Sequence, residues 1–262
     1  MQALEMIKSV IRGGDRFATA FVSYQGLGLP PPGSRFCTED WKNDAFYVSS
    51  AKAEVERLMS LAHLDEQSKL LDIGCGQGRL AIGLAAKLPQ IGLYCGIDVS
   101  RRSVEWCNRN LAAFHSNFRF LHLDIQNERY NPYGIPFESP VQLPLADDSF
   151  DVAFLYSVFT HMRSRDVENY LHDMRRVLRP GGRAFFTVYV EEGCAPETEN
   201  PPGYLEELGA STGALHRVLF ERSFFEAMIR AAGLQIGTFQ YRSEEVTKQS
   251  GYLLVKPAAS TH

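Results

Sequence analysis

The 262-residue chain has little of what would place it in several large classes of protein. Its cysteines number only five, Cys37, Cys75, Cys95, Cys107 and Cys194. The count is odd and the spacing suits neither a zinc ribbon nor a disulfide framework, so reduced thiols in a cytoplasm are the expectation. Basic charge is scarce as well: 27 Lys and Arg against 31 Asp and Glu leave a formal charge of −4 and no long basic run. Nothing global draws such a chain to a phosphate backbone, and Arg175, Arg176 and Arg179 read as a solvated helix face. No apolar stretch has the length of a signal peptide or membrane span; Leu4, Ile7, Val10 and Ile11 instead fall at helical spacing and suggest a small amphipathic helix. Repeats, low-complexity tracts and linkers are absent too, so one domain over residues 1–262 is expected.

What the chain does have is the run LLDIGCGQGR, Leu70 to Arg79. An apolar strand ends in Asp72, and Gly74, Gly76 and Gly78 follow it. Glycine permits positive φ and removes the Cβ that would hold a ligand off the backbone, and a helix start follows Gly78. The glycines alternate as G-x-G-x-G after an acid, which differs from the dinucleotide G-x-G-x-x-G. An acid there repels a diphosphate and suits a cationic ligand. A second strand, in LYCGIDVS, ends in Asp98, at the distance where an acid can take both ribose hydroxyls. A third, in FRFLHLDIQ, ends in Asp124, placed to read an adenine edge. Asp98 and Asp124 also read as helix caps or solvated strand ends.

At this point the chain resembles the class I S-adenosylmethionine-dependent methyltransferases. LLDIGCGQGR is similar to their glycine-rich motif, GIDVS to their ribose motif and LDIQ to their adenine motif. LPLADDSFDVAFLYSVFTHM and LRPGGRAFFTVY resemble their fourth strand and the turn before their fifth, so the likeness covers roughly Lys69 to Val190. It implies an α/β fold: a Rossmann-like, seven-stranded, mostly parallel sheet in the order 3-2-1-4-5-7-6, the last strand antiparallel, with helices on both faces and an N-terminal helical extension. It also implies S-adenosylmethionine as cofactor, with Asp72, Gly74, Gly76 and Gly78 at the methionine end, Asp98 and Val99 at the ribose, Asp124 and Ile125 at the adenine, and Tyr156 beside them. Within the one domain, residues 1–50 form an extension or cap, 51–190 the cofactor-binding core, and 191–262 a substrate-side insertion and the C-terminal strands.

Periodicity places strands near 69–73, 92–97, 118–123, 150–156 and 183–190, with helices near 78–88, 101–115 and 164–178. Another helix is expected from Thr38 to Ala62, after the rigid break GLGLPPPG. Beyond Val190 come a helix over 221–232 and strands over 234–241 and 251–256. Pro180, Gly181 and Gly182 turn the chain into the fifth core strand.

Chemistry belongs at the carboxyl edge of the sheet, where the fourth strand delivers Tyr156, Ser157, Phe159, Thr160 and His161. A hydroxyl acceptor must lose its proton during methyl transfer, and an imidazole is suited to take it. His161 is therefore the candidate base; its other reading is a hydrogen-bonded helix cap. His216 is an alternative base. The long connection Gln126–Ser149, with Tyr130, Tyr133 and Phe137, and the variable stretch 191–217 are candidate substrate loops. Tyr24, Trp41, Phe46 and Tyr47 are candidate lining residues or plain packing.

No metal ligand set is evident, because Asp147, Asp148 and Asp151 sit at the entrance of a strand and read as a solvated turn. Asn131–Pro132 lacks the flanks of the Asn-Pro-Pro-aromatic signature of nucleic-acid and protein amine methylation. The expectation is O-methylation of a small molecule, a sugar or secondary metabolite, by a cytoplasmic protein without nucleic-acid or membrane partners. N-methylation of an amino sugar or amine, a non-catalytic cofactor-binding scaffold and a nicotinamide oxidoreductase stay open.

Overall fold

The computed structural model describes residues 20–35, 39–136 and 142–258. The expected helix carrying Leu4, Ile7, Val10 and Ile11, together with Cys37 and Phe137, lies outside the described residues.

Three parallel strands come first in the core, β3 (Lys69–Ile73), β4 (Leu93–Asp98) and β5 (Phe118–His122). They follow a two-residue-turn hairpin, β1 (Val22–Tyr24) and β2 (Leu27–Leu29). β6 (Phe150–Leu155) lies parallel to β3 on its other side, and β7 (Leu178–Glu191) parallel to β6. β8 (Glu197–Glu199) and β9 (Val218–Glu221) extend the far end of β7, before β10 (Gln235–Gln240) and β11 (Ser250–Val255) complete the sheet. The main order is β10-β11-β7-β6-β3-β4-β5, with β11 antiparallel to both neighbours. Numbered by core strand this is the expected 3-2-1-4-5-7-6, and the sheet gains two strands, β8 and β9, that the sequence reading left out.

Helices cover both faces because β3, β6 and β7 are apolar on both. On one face Leu71, Ile73, Ala153 and Phe186 meet α4 (Ser164–Val177) and α5 (Arg222–Ala231) through Leu171, Met174, Phe225 and Ile229. On the other, Leu70, Phe154 and Phe185 meet α1 (Asp44–Ala62), α2 (Arg79–Lys87) and α3 (Arg101–Cys107) through Val55, Leu58, Leu80 and Trp106. Each fully buried Leu or Phe stabilises the fold by roughly 2 kcal/mol. No helix among the described residues is long and apolar enough to cross a membrane.

Two expectations need correction. Ahead of them, residues 22–29 of the N-terminal extension form a hairpin that the sequence did not signal: Gln25 and Gly26 both take positive φ (51° and 78°), the backbone of a primed hairpin turn. The first helix begins at Asp44 rather than Thr38, because the Asn43 side chain accepts the Phe46 N–H at 3.0 Å and caps it there; residues Glu39–Lys42 form a 3-10 turn. The helix expected over 101–115 is α-helical only to Cys107 and widens into a π turn over Asn108–Ala112. At the turn into the fifth core strand, Leu178 pairs with Phe150 and Arg183 with Val152, so Arg179–Gly182 loop out of the ladder, with Gly181 at φ 78°.

Candidate active site

The strand order reverses between β3 and β6, and a cavity of about 190 Å³ opens at the carboxyl edge at that switch point. Its floor is the glycine turn. Gly74 and Cys75 donate their backbone N–H groups to the Ile97 carbonyl (2.7 and 3.1 Å), which ties the turn to the end of β4. Gly76 has φ 52°, and a Cβ built on it would meet nothing within 4 Å. The turn thus leaves open space where a side chain would stand, a cradle for a ligand.

Two acids lie behind this floor. Asp72 is buried, and its Oδ2 accepts the Tyr94 hydroxyl at 2.6 Å. Burial pushes its carboxyl up to about 7, against the opposing effects of Tyr94 and Arg79. An acid so poorly compensated favours a cation beside it. Asp98 accepts the Gly76 N–H on one oxygen and the Ser100 N–H on the other, both at 2.7 Å. Burial raises its carboxyl as well, and those two backbone donors oppose the rise. Each of its oxygens keeps a further lone pair for a hydroxyl.

Across the cavity, β6 ends and the chain turns sharply through Ser157, at φ 56°, into the short 3-10 turn Phe159–His161. The left-handed backbone at Ser157 is held by its N–H to Thr187 Oγ1 (2.8 Å) and by Gln249 on its hydroxyl (2.5 Å). His161 lines the cavity, with Tyr130 edge-on at 5.4 Å. Its Nδ1 lies 2.8 Å from the Leu215 carbonyl oxygen. A carbonyl only accepts, so Nδ1 carries the hydrogen and the neutral ring offers its lone pair at Nε2. Burial lowers this imidazole to about 4, with Arg129 and His216 adding to the fall.

Arg79 enters the same space from the first turn of α2. Its guanidinium lies between the rings of Trp41 (4.5 Å) and Tyr156 (4.9 Å), and it pairs with the buried Glu54 at 3.3 Å. Arg79 had no expected role; its signal in the sequence was its place one residue after the last glycine of the run. Leu215 carried no signal, since it acts through its carbonyl.

Of the residues singled out in the sequence, Asp72, Gly74, Gly76, Asp98, Val99, Ile125, Tyr156, Tyr47, Tyr130 and His161 line the cavity. Gly78 stands just behind it as the left-handed residue that starts α2. Asp124 does not line it. Its exposed carboxylate accepts Asn131 Nδ2 at 3.0 Å and thereby caps its own loop. Tyr133 is 97% exposed and points to solvent. Tyr24 is half-buried against the hydrophobic cluster on the face of the sheet that α1, α2 and α3 cover. His216 accepts the Thr212 N–H at 2.6 Å and lies off the cavity, so as an alternative base it is misplaced. Phe46 is exposed on α1, at 37%.

The open cradle at Gly76, the undercompensated Asp72 and the two-handed Asp98 fit a nucleoside with a cationic tail; a diphosphate would meet Asp72. Comparison with known proteins agrees. A family model described as a methyltransferase domain matches residues 70–182. The chain is 28% identical over 200 residues to 27-O-demethylrifamycin SV methyltransferase of Amycolatopsis mediterranei, covering 74% of this chain and 64% of that one. It spans between about a third and two thirds of the length of the curated relatives it matches. Among solved structures, a SAM-dependent methyltransferase from Aquifex aeolicus superposes with a TM-score of 0.51 at 18% identity, over 78% of this chain and 89% of that one. The [4+2]-cyclase SpnF does so at 0.56 and 18% identity, over 80% and 82%. A fold shared with a cyclase does not by itself name a reaction. Strand order, glycine turn and matched domain point the same way: residues 70–182 match a methyltransferase domain, and the sheet has the Rossmann-like fold of the solved methyltransferases it superposes on.

Proposed function

We propose that the protein methylates a hydroxyl of a small-molecule acceptor, with His161 as general base. The observation that carries this reading is the His161 ring in the cavity wall, its Nδ1 on the Leu215 carbonyl and its Nε2 left to accept a proton. Asp72 would hold the ammonium of the methionine tail, Arg79 its carboxylate, and Asp98 the ribose hydroxyls. Val99 and Ile125 would flank the adenine. When bound, S-adenosylmethionine supplies a methyl group on a sulfonium, a leaving group already activated.

The residues then have two tasks, to align the acceptor oxygen and to remove its proton. The acceptor oxygen forms the new C–O bond as the C–S bond breaks, sulfur keeps the electron pair, and the hydroxyl proton passes to His161 Nε2. With the imidazole lowered to about 4, the ring is neutral at physiological pH and ready to accept. Tyr130, edge-on to His161, gives the acceptor end an aromatic face, which suits a flat or apolar hydroxylated molecule. The O-methyl chemistry in the name of the rifamycin relative supports an oxygen acceptor.

The experiment is a screen of hydroxylated aromatic and polyketide-like compounds with methyl-labelled S-adenosylmethionine, run with wild type and His161→Ala. Label transfer to oxygen by wild type, reduced at least a hundredfold in the variant, supports the reading. Transfer to an amine at a rate indifferent to His161 replaces it with N-methylation.

A further inference from the structure

Leu215 is buried, is not glycine, and yet takes a left-handed backbone, φ 51°. Such a residue needs its surroundings to hold it. Its carbonyl faces His161 Nδ1 at 2.8 Å, while its N–H donates to Glu199 Oε1 at 2.8 Å. The other Glu199 oxygen takes Arg163 at 3.0 Å, two residues from His161 along the chain. The bonds therefore close a ring, from His161 to the Leu215 peptide, to Glu199, to Arg163 and back along the backbone. Glu199 has a fixed seat for this task. It ends β8, paired with Val218 of β9, and the next residue donates its N–H to the Arg217 carbonyl at 2.7 Å.

We propose that Glu199 is a positioning residue for His161: by accepting the Leu215 N–H it aims the Leu215 carbonyl at Nδ1 and so holds the ring in the tautomer that leaves Nε2 bare. The inference rests on the reading of His161 as base. The Leu215 N–H and Arg163 both hold the Glu199 carboxyl below the usual carboxylate range, so it accepts as an anion. Arg163 also reaches Glu128 at 2.7 Å, and Arg129 reaches the Thr212 carbonyl at 3.2 Å. The loop bearing Tyr130 and the loop bearing Leu215 are thereby fastened to each other beside the ring they position.

The test is the tautomer of His161, read from two-bond proton–nitrogen spectra of ring-labelled protein at neutral pH with S-adenosylhomocysteine bound. His161→Asn identifies the signal among the seven histidines. Wild type is expected to show hydrogen on Nδ1 and a bare Nε2. Glu199→Ala should give a mixture of tautomers. Glu199→Asp, too short for the Leu215 N–H but still able to pair with Arg163, should do the same and guards against a variant that fails to fold. Glu199→Gln retains an acceptor and should restore the wild-type spectrum. Affinity for S-adenosylhomocysteine should stay within twofold throughout. Hydrogen on Nε2 in wild type, or an unchanged tautomer in both Glu199→Ala and Glu199→Asp, overturns the proposal. Failure of the base reading appears elsewhere, as undiminished turnover by His161→Ala.

Discussion

Tyr94, the second residue of β4, donates its phenolic hydrogen to Asp72 near the end of β3 across 2.6 Å, and both side chains are buried. Leu70 pairs with Tyr94 and Asp72 with Gly96, so the tyrosine crosses diagonally to the next acid on the same face of the sheet. The tyrosine is the only side chain bonded to Asp72 among the contacts that lower its carboxyl, and burial outweighs it, holding the carboxyl at about 7.

Ligand binding should therefore release a proton. Near pH 6.5 part of the Asp72 population is protonated, and the ammonium of S-adenosylhomocysteine placed beside it favours the anion. Calorimetry in two buffers of different ionisation enthalpy should show proton release in wild type and little in Asp72→Asn. Equal release in both assigns the proton to another group.

Stability of the unliganded protein should change with pH at two groups of opposite sign. Asp72 binds its proton more tightly folded than unfolded, so its contribution is complete below about pH 3.8 and is lost as pH rises through about 7. His161 behaves inversely: from pH 6.5 down to about 4 the unfolded chain takes up a proton that the folded ring refuses, and stability falls as pH falls. Thermal melts of Asp72→Asn should decline less than wild type between pH 5 and 8, a difference on the order of a few kcal/mol. Identical pH dependence would show that Asp72 titrates normally.

Two glycines of one motif should fail differently when changed to alanine. At Gly78 a Cβ would stand 2.5 Å from Leu111 Cδ1 and 3.2 Å from Cys107 Sγ, so Gly78→Ala should lower the melting temperature clearly. At Gly76 it meets nothing, so Gly76→Ala carries only the left-handed strain, about 1 kcal/mol, and should chiefly weaken S-adenosylhomocysteine, by tenfold or more. The ratio of binding loss to melting loss measures the contrast.

The two strand-end acids should also separate. Asp98→Ala removes a group in the cavity, whereas Asp124→Ala removes an exposed carboxylate bonded to its own loop and should change affinity less than twofold. A tenfold loss in Asp124→Ala restores it as an adenine ligand.

For catalysis, the acid limb of turnover should lie well below pH 6, because the base is lowered to about 4 rather than left near 6.5. A pH profile of wild type inflecting near 6.5 contradicts the buried geometry of His161.

The sheet order and the glycine turn were legible because their signals are local: an apolar strand, an acid, alternating glycines and a helix start within ten residues. His161 was legible for a related reason, its place just past β6. What holds it was not, since Leu215 lies 54 residues on and contributes a carbonyl that any residue possesses. Asp124 was read as a ligand because strand-end spacing says nothing of which way a carboxylate turns, and Asn131 turns it toward its own loop. The β8–β9 pair escaped notice because three-residue strands such as Glu197–Glu199 hold no periodicity to read. The capping side chain of Asn43 was present in the sequence, but Thr38 is also a capping residue type, and composition alone does not choose between them.

Calorimetric titration with S-adenosylhomocysteine tests the central claim most directly, because the product needs no acceptor to bind. The account predicts micromolar affinity in wild type, weakened at least tenfold, about 1.4 kcal/mol, in Asp98→Ala. No binding by folded wild type, or binding of NAD in its place, would contradict it.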